Sequence, residues 1–323
     1  MPKGSPRSLP AVGTTSVELV DRDVDVPPAT LADFDVVHVL ASNGGISSCL
    51  ARRLGDFGFN KRVLLKVADN TFDASPETNM RLNEEARIGM RLAHPNLLQI
   101  LDLGRDDGRT FLVREWVDGL GLRALLRSTW ERDEALPVPA ALRIGVGVAR
   151  ALTYLHGLRA PWAPRGVSHR VLTPSNILLS RSGEVRLGNL SLADPSDRFD
   201  SEFRPVEGGY PAFCAPEVLQ GARPGHPADI FSLGAVLFET LIGPDAFSGP
   251  IHSDWLRYRT DLHIQDRVQA SDLPGPLREM LARALHPSPD QRPMARHLRE
   301  FLRRWLESEH ATNGEDALRD ALS

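Results

Sequence analysis

GVSHRVLTPSNILL, residues 166–179, sets His169, Arg170 and Asn176 among mostly apolar neighbours, with Val171 directly after the arginine. A valine side chain has no lone pair, so position 171 can neither accept a proton nor orient a nucleophile. The neighbouring sequence offers no substitute: between Glu134 and Glu184 there is neither Asp nor Glu. Three polar side chains at fixed spacing, with no carboxylate among them, mark this loop.

Around it lies a chain of 323 residues with 41% hydrophobic and 25% charged residues, enough for one large two-lobed domain or two ordinary ones. The net charge of −4 is scattered, which gives no electrostatic case for nucleic acid or an anionic membrane. Cys49 and Cys214 lie far apart without metal-ligand spacing and read as reduced thiols. No transmembrane run is expected, and the start, MPKGSPRSLPAVGTTSVEL, has no apolar core of signal-peptide length. A cytoplasmic location is the expectation.

Residues 1–31, rich in Ser, Pro, Thr and Asp, read as a flexible leader. Short β-branched runs at 34–41, 46–52, 63–68, 97–103 and 110–117 predict strands, and 76–92 predicts a helix ending before Pro95. Beyond Gly119 the periodicity turns helical. Residues 138–155 carry a wide apolar face; 229–242, DIFSLGAVLFETLI, is apolar on nearly every side and belongs inside a lobe. Amphipathic helices are expected at 274–285 and 295–306, and a polar, fraying tail at 309–323. A strand-rich third before a helix-rich remainder is an α+β pattern of two lobes.

An ordered series of motifs then names a family. VLLK at 63–66 is followed by EEAR at 84–87, HPN at 94–96 and EWVDG at 115–119. SHRV at 168–171 with Asn176, APE at 215–217, DIFSLG at 229–234 and PDQRP at 289–293 complete it. The chain resembles bacterial Ser/Thr protein kinases of the eukaryotic type. The resemblance implies a bilobal protein-kinase-like fold over 32–308, with a small β-rich N-lobe at about 32–117 and a larger helical C-lobe at about 118–308. It also implies that Glu217 pairs with Arg292 and that Asp229 caps backbone amides of the catalytic loop.

The same resemblance shows what chemistry is lost. Val171 stands where the family has the aspartate that accepts the substrate hydroxyl's proton. Asn189, in NLS, stands where a metal-binding aspartate is expected, beside the retained Asn176; a neutral pair should hold Mg²⁺ weakly. The glycine-rich phosphate loop aligns with 42–49, where Gly44 matches and Cys49 takes the valine position; a plain hairpin explains the Gly-Gly equally well. Leu64 replaces a smaller residue of the adenine pocket, and Arg114 stands at its back, before Glu115 and Trp116. Leu178 completes the degenerate cleft. Lys66 and Glu85 remain, as an ATP clamp or as a structural tie between helix and sheet. Arg114 either pairs with Glu85, filling the pocket in place of nucleotide, or turns out to solvent. No metal ligand set is expected, and ATP binding is expected to be weak. These losses imply a pseudokinase that acts by binding a protein partner, with an active kinase among the candidates. The alternative is a weak or atypical Ser/Thr kinase.

Overall fold

Alternation of apolar and polar residues builds the first lobe. The structure, a computed structural model, describes residues 29–43, 45–55, 60–68, 76–132, 134–170, 172–190, 211–243, 263–308 and 314–323. Strands β1 (Thr30–Leu31), β2 (Phe34–Asn43), β3 (Ile46–Leu54), β4 (Asn60–Ala68), β5 (Ile100–Asp106) and β6 (Arg109–Glu115) form one antiparallel sheet in the order β1-β2-β3-β4-β6-β5. Its two faces are buried differently. Phe34, Cys49, Ala51, Val63, Leu65, Val67, Phe111 and Val113 pack on one side. On the other, Ala68, Ile100 and Leu112 pack against Leu82 and Ala86 of helix α1 (Pro76–Gly89). Because side chains alternate along a strand, Leu64 and Lys66 share the α1 side with Leu112 and Arg114.

The leader expected over 1–31 gives way earlier: Thr30 and Leu31 pair with β2, and Leu31 is fully buried in the N-lobe core. Residues 1–28 lie outside the described residues. α1 closes at Gly89, short of the expected 92. Arg91 and Leu92 donate to Ile88 and Gly89, tightening the chain into a turn before Pro95. The strand expected from Leu97 begins only at Ile100. Leu98 N–H donates to Leu187 and Leu187 N–H to Asn96, so 96–98 is spent on tying the lobes together.

The second lobe is built around α3 (Val138–Gly157), whose buried face runs from Ala140 to Leu155, and α5 (His226–Ile242), buried along most of its length. Helices α2 (Leu122–Glu131), the short α4 (Pro216–Leu219), α6 (His263–Ala270), α7 (Gly275–Ala284) and α8 (Ala295–Ser308) surround them. α3 is the one described helix long and apolar enough to cross a bilayer, against the expectation of none, yet two thirds of it is covered by protein. Gly145 lets it approach closely: a Cβ there would lie 2.8 Å from Leu237 of α5 and 3.1 Å from Leu302 of α8. The expected fraying tail is also corrected. Residues 314–321 form α9 (Gly314–Ala321), with Ala317, Leu318 and Leu322 buried against the C-lobe core and Arg319 donating to the Ser182 carbonyl. Burying one such leucine contributes about 1.5–3 kcal/mol, enough to hold a short helix down.

A small sheet of β7 (Gly119–Gly121), β8 (Ile177–Ser180) and β9 (Val185–Leu187) lies under the cleft between the lobes.

Candidate functional site

The β8–β9 hairpin decides the geometry of the cleft floor. Ile177 pairs with Leu187, which places Asn176, ending a 3-10 turn (Pro174–Asn176), opposite Gly188 just past β9. Gly188 N–H donates to the Asn176 carbonyl at 2.8 Å. The next residue, Asn189, adopts φ +62°, a left-handed conformation that asparagine tolerates better than most residues. Its Nδ2 donates to Asn176 Oδ1 at 3.3 Å. The two positions expected to face a metal are therefore brought together, and both are neutral amides.

The loop before them hangs from Asp229. One of its oxygens accepts His169 N–H and the other Arg170 N–H, each at 2.8 Å, and His156 Nε2 lies 2.8 Å from the first. Arg170 needs the support, since it sits at φ +71°. Burial alone would push the Asp229 carboxyl up; hydrogen bonding and charge from His156, with His169 and the Arg170 amide, leave it lowered instead. The His169 ring is fully buried with Nε2 2.9 Å from the Gly188 carbonyl, and desolvation lowers its pKa, with Asp229 opposing. His226 stacks on His156 at 4.1 Å and is pushed down to about 4 by burial and by its neighbours' charge. Val171 itself lies outside the described residues.

Above the floor, Glu85 on α1 meets Lys66 on β4 at 2.6 Å, and Arg114 on β6 at 3.4 Å through its other oxygen. Of the two arrangements open to Arg114, the structure adopts the buried pair: the side chain is 10% exposed. Burial would raise the Glu85 carboxyl, but the two cations outweigh it and hold it low. Burial pulls Lys66 and Arg114 down, with Glu85 opposing in both. Arg114 also reaches Gly188, where an added Cβ would lie 3.0 Å from its Nη2. Gly188 has no part in the motif reading; a small residue before Asn189 and a large cation at 114 were its only signal.

The remaining cleft positions divide. Leu64 is half-buried beside Lys66, and Leu178 is half-buried on β8 opposite Gly121. Glu115 turns away from the pocket's back, accepting Gln99 N–H at 2.8 Å and meeting Arg186 at 3.4 Å. Trp116 Nε1 is buried with no hydrogen-bond partner among the described residues. Cys49 requires a correction. It lies opposite Leu65 on the far side of the sheet, in the outer core, while Ser48 lies opposite Lys66. The alignment of 42–49 was out of phase by one, and a one-residue slip turns every side chain to the other face. Gly44 lies outside the described residues; Asn43 pairs with Ile46, and Gly45 has φ +75°, as in a two-residue hairpin turn.

Away from the cleft, Arg292 meets Glu217 through two parallel bonds of 2.7 and 2.8 Å and also donates to the Pro227 and Pro287 carbonyls. With the ordered motifs, the two-lobed α+β fold and this floor in place, comparison with known families is decisive: residues 43–302 match the protein kinase domain. The chain belongs to the protein kinase family. Among its relatives are the tyrosine-protein kinase MasK of Myxococcus xanthus (strain DK1622), 30% identical over 86% of this chain, and the serine/threonine-protein kinase PknK of Mycobacterium tuberculosis, 32% identical over 82%. A probable serine/threonine-protein kinase of Clostridium perfringens, CPE1738, is 27% identical over 72%. The chain spans 43%, 23% and 33% of those three proteins respectively, so it matches only part of each.

Proposed function

We propose that this kinase-family protein is a pseudokinase that acts by binding, as a scaffold or allosteric partner of a signalling protein, an active kinase among them. The observation that carries the reading is the Asn176–Asn189 amide pair on the cleft floor. Whichever way the amides are turned, they offer no negative charge, whereas Mg²⁺ is held beside phosphates chiefly by carboxylates. The residues present do not fit a tightly held divalent ion. Val171 adds the loss of the group that would orient an acceptor hydroxyl. Losing a positioned base costs on the order of 10²–10⁴ in rate. From a typical ~1–100 s⁻¹, the larger loss leaves about one turnover in minutes to hours.

The intact parts suit this role. Glu217–Arg292 and the Asp229 cap preserve the C-lobe without contributing to phosphoryl transfer, so they maintain a surface. The scattered charge and net −4 favour a protein partner over nucleic acid or membrane. A cytoplasmic setting belongs to the same proposal.

One observation favours a second reading, a weak or atypical protein kinase. Lys66 and Glu85 remain paired at 2.6 Å, and the relatives named above are kinases, one called a tyrosine kinase and two called serine/threonine kinases. Radiolabelled phosphate transfer from ATP to generic acceptors and to the chain itself separates the two. The expected result is no transfer above that of a Lys66→Met variant. Transfer present in the native chain and abolished by that substitution would overturn the pseudokinase reading.

A further inference from the structure

The back of the cleft holds more positive charge than its own carboxylate balances. Among the described residues there, Lys66 and Arg114 both face Glu85, two cations on one anion. Glu115 adds attraction for Arg114, but its carboxylate is already engaged by Arg186 and the Gln99 amide. The Arg114 guanidinium extends to Gly188, whose missing side chain leaves it room. Gly188 leads directly into Asn189, which is bonded to Asn176. The surplus cation therefore stands against Gly188, the residue that adjoins the Asn176–Asn189 amide pair. Arg114 Nε is buried with no hydrogen-bond partner among the described residues, a donor still to be satisfied.

We infer that Arg114 stands in for the divalent metal, and that the cleft takes a nucleoside di- or triphosphate free of metal. This rests on reading the cleft as the family's nucleotide site. A guanidinium suits the substitution because it stays charged when buried and presents several donors to phosphate oxygens. Lys66, 16% exposed, supplies the second cation from the cleft side. A metal carried in on the phosphates would bring two positive charges toward Arg114 and Lys66 and meet, at the two floor positions described, the neutral amides of Asn176 and Asn189. Added Mg²⁺ should weaken binding, the reverse of its effect where aspartate holds it.

The test is equilibrium binding and thermal shift of the full chain with ATP and ADP, in excess EDTA and in millimolar Mg²⁺. A ligand that binds only the folded state raises its melting temperature, so both readouts are independent of turnover. The expected result is binding in EDTA at least as tight as in Mg²⁺. Arg114→Met should weaken the EDTA binding about tenfold or more, Arg114→Lys less, and Asn189→Asp should make Mg²⁺ tighten it. Melting scans of each variant without ligand report that it folds. No binding in EDTA, or native binding that requires Mg²⁺, would overturn the inference. Unchanged or tighter binding by Arg114→Met would do the same, because the guanidinium would then be occupying the nucleotide's place. The phosphate-transfer assay is a separate measurement, so failure here leaves the pseudokinase reading standing, and the converse holds.

Discussion

Asp229 in the C-lobe and Glu85 in the N-lobe are both buried carboxylates, and they are compensated in different ways. Asp229 is held by two backbone amides and a histidine, partners with fixed positions and few alternatives. Glu85 is held by two long cationic side chains approaching from two strands. The first arrangement fixes a backbone; the second fixes a charge. A chain that keeps the first unchanged while altering the second conserves its shape and changes what its cleft attracts.

The largest expected effect tests the first half of that contrast. Asp229→Asn leaves one acceptor oxygen for two amides and sets an NH₂ group against the other donor, so stability should fall by about 3–5 kcal/mol in denaturant unfolding. A loss below about 1 kcal/mol would mean that the loop is held by something else. The histidines beside Asp229 give the next effect. The folded-state value of His226 is depressed from 6.5 to about 4, so the unfolded chain takes up the proton first as pH falls. The contribution of His226 to stability should therefore decline between pH 6.5 and 4 and level off below. With solvent screening discounted, this is worth about 1–2 kcal/mol. His226→Asn should flatten that part of the stability–pH curve, and an unchanged slope would assign the decline to other groups. The smallest effect belongs to the N-lobe. Arg114→Met removes one cation but leaves Glu85 with Lys66, so no charge is orphaned and stability should move by less than about 1 kcal/mol. A larger loss would make Arg114 a structural anchor like Asp229 and erase the contrast.

Legibility followed the same division. The strands of the N-lobe sheet and the buried helix at 229–242 are readable because each depends on residue type at a spacing, and the Glu217–Arg292 and Asp229 anchors follow from the family resemblance. The helix at 314–321 was not, since its apolar content is one short stripe, Ala317, Leu318 and Leu322, meaningful only once a groove on the C-lobe receives it. Cys49 faces the outer core and not the cleft, and nothing in a run such as ISSCL fixes which face is inward. Leu97 and Leu98 looked like the start of a strand and became a bridge between lobes, because Leu187 competes for their backbone groups.

By itself the sequence determined membership of the fold and the loss of negative charge at 171 and 189, since both are matters of which atoms a position owns. Only the tertiary structure decided that Arg114 turns inward to share Glu85 with Lys66, and that Asn189 closes on Asn176. A long side chain has several directions available, and the choice among them is made by strand register, burial and the charges it meets.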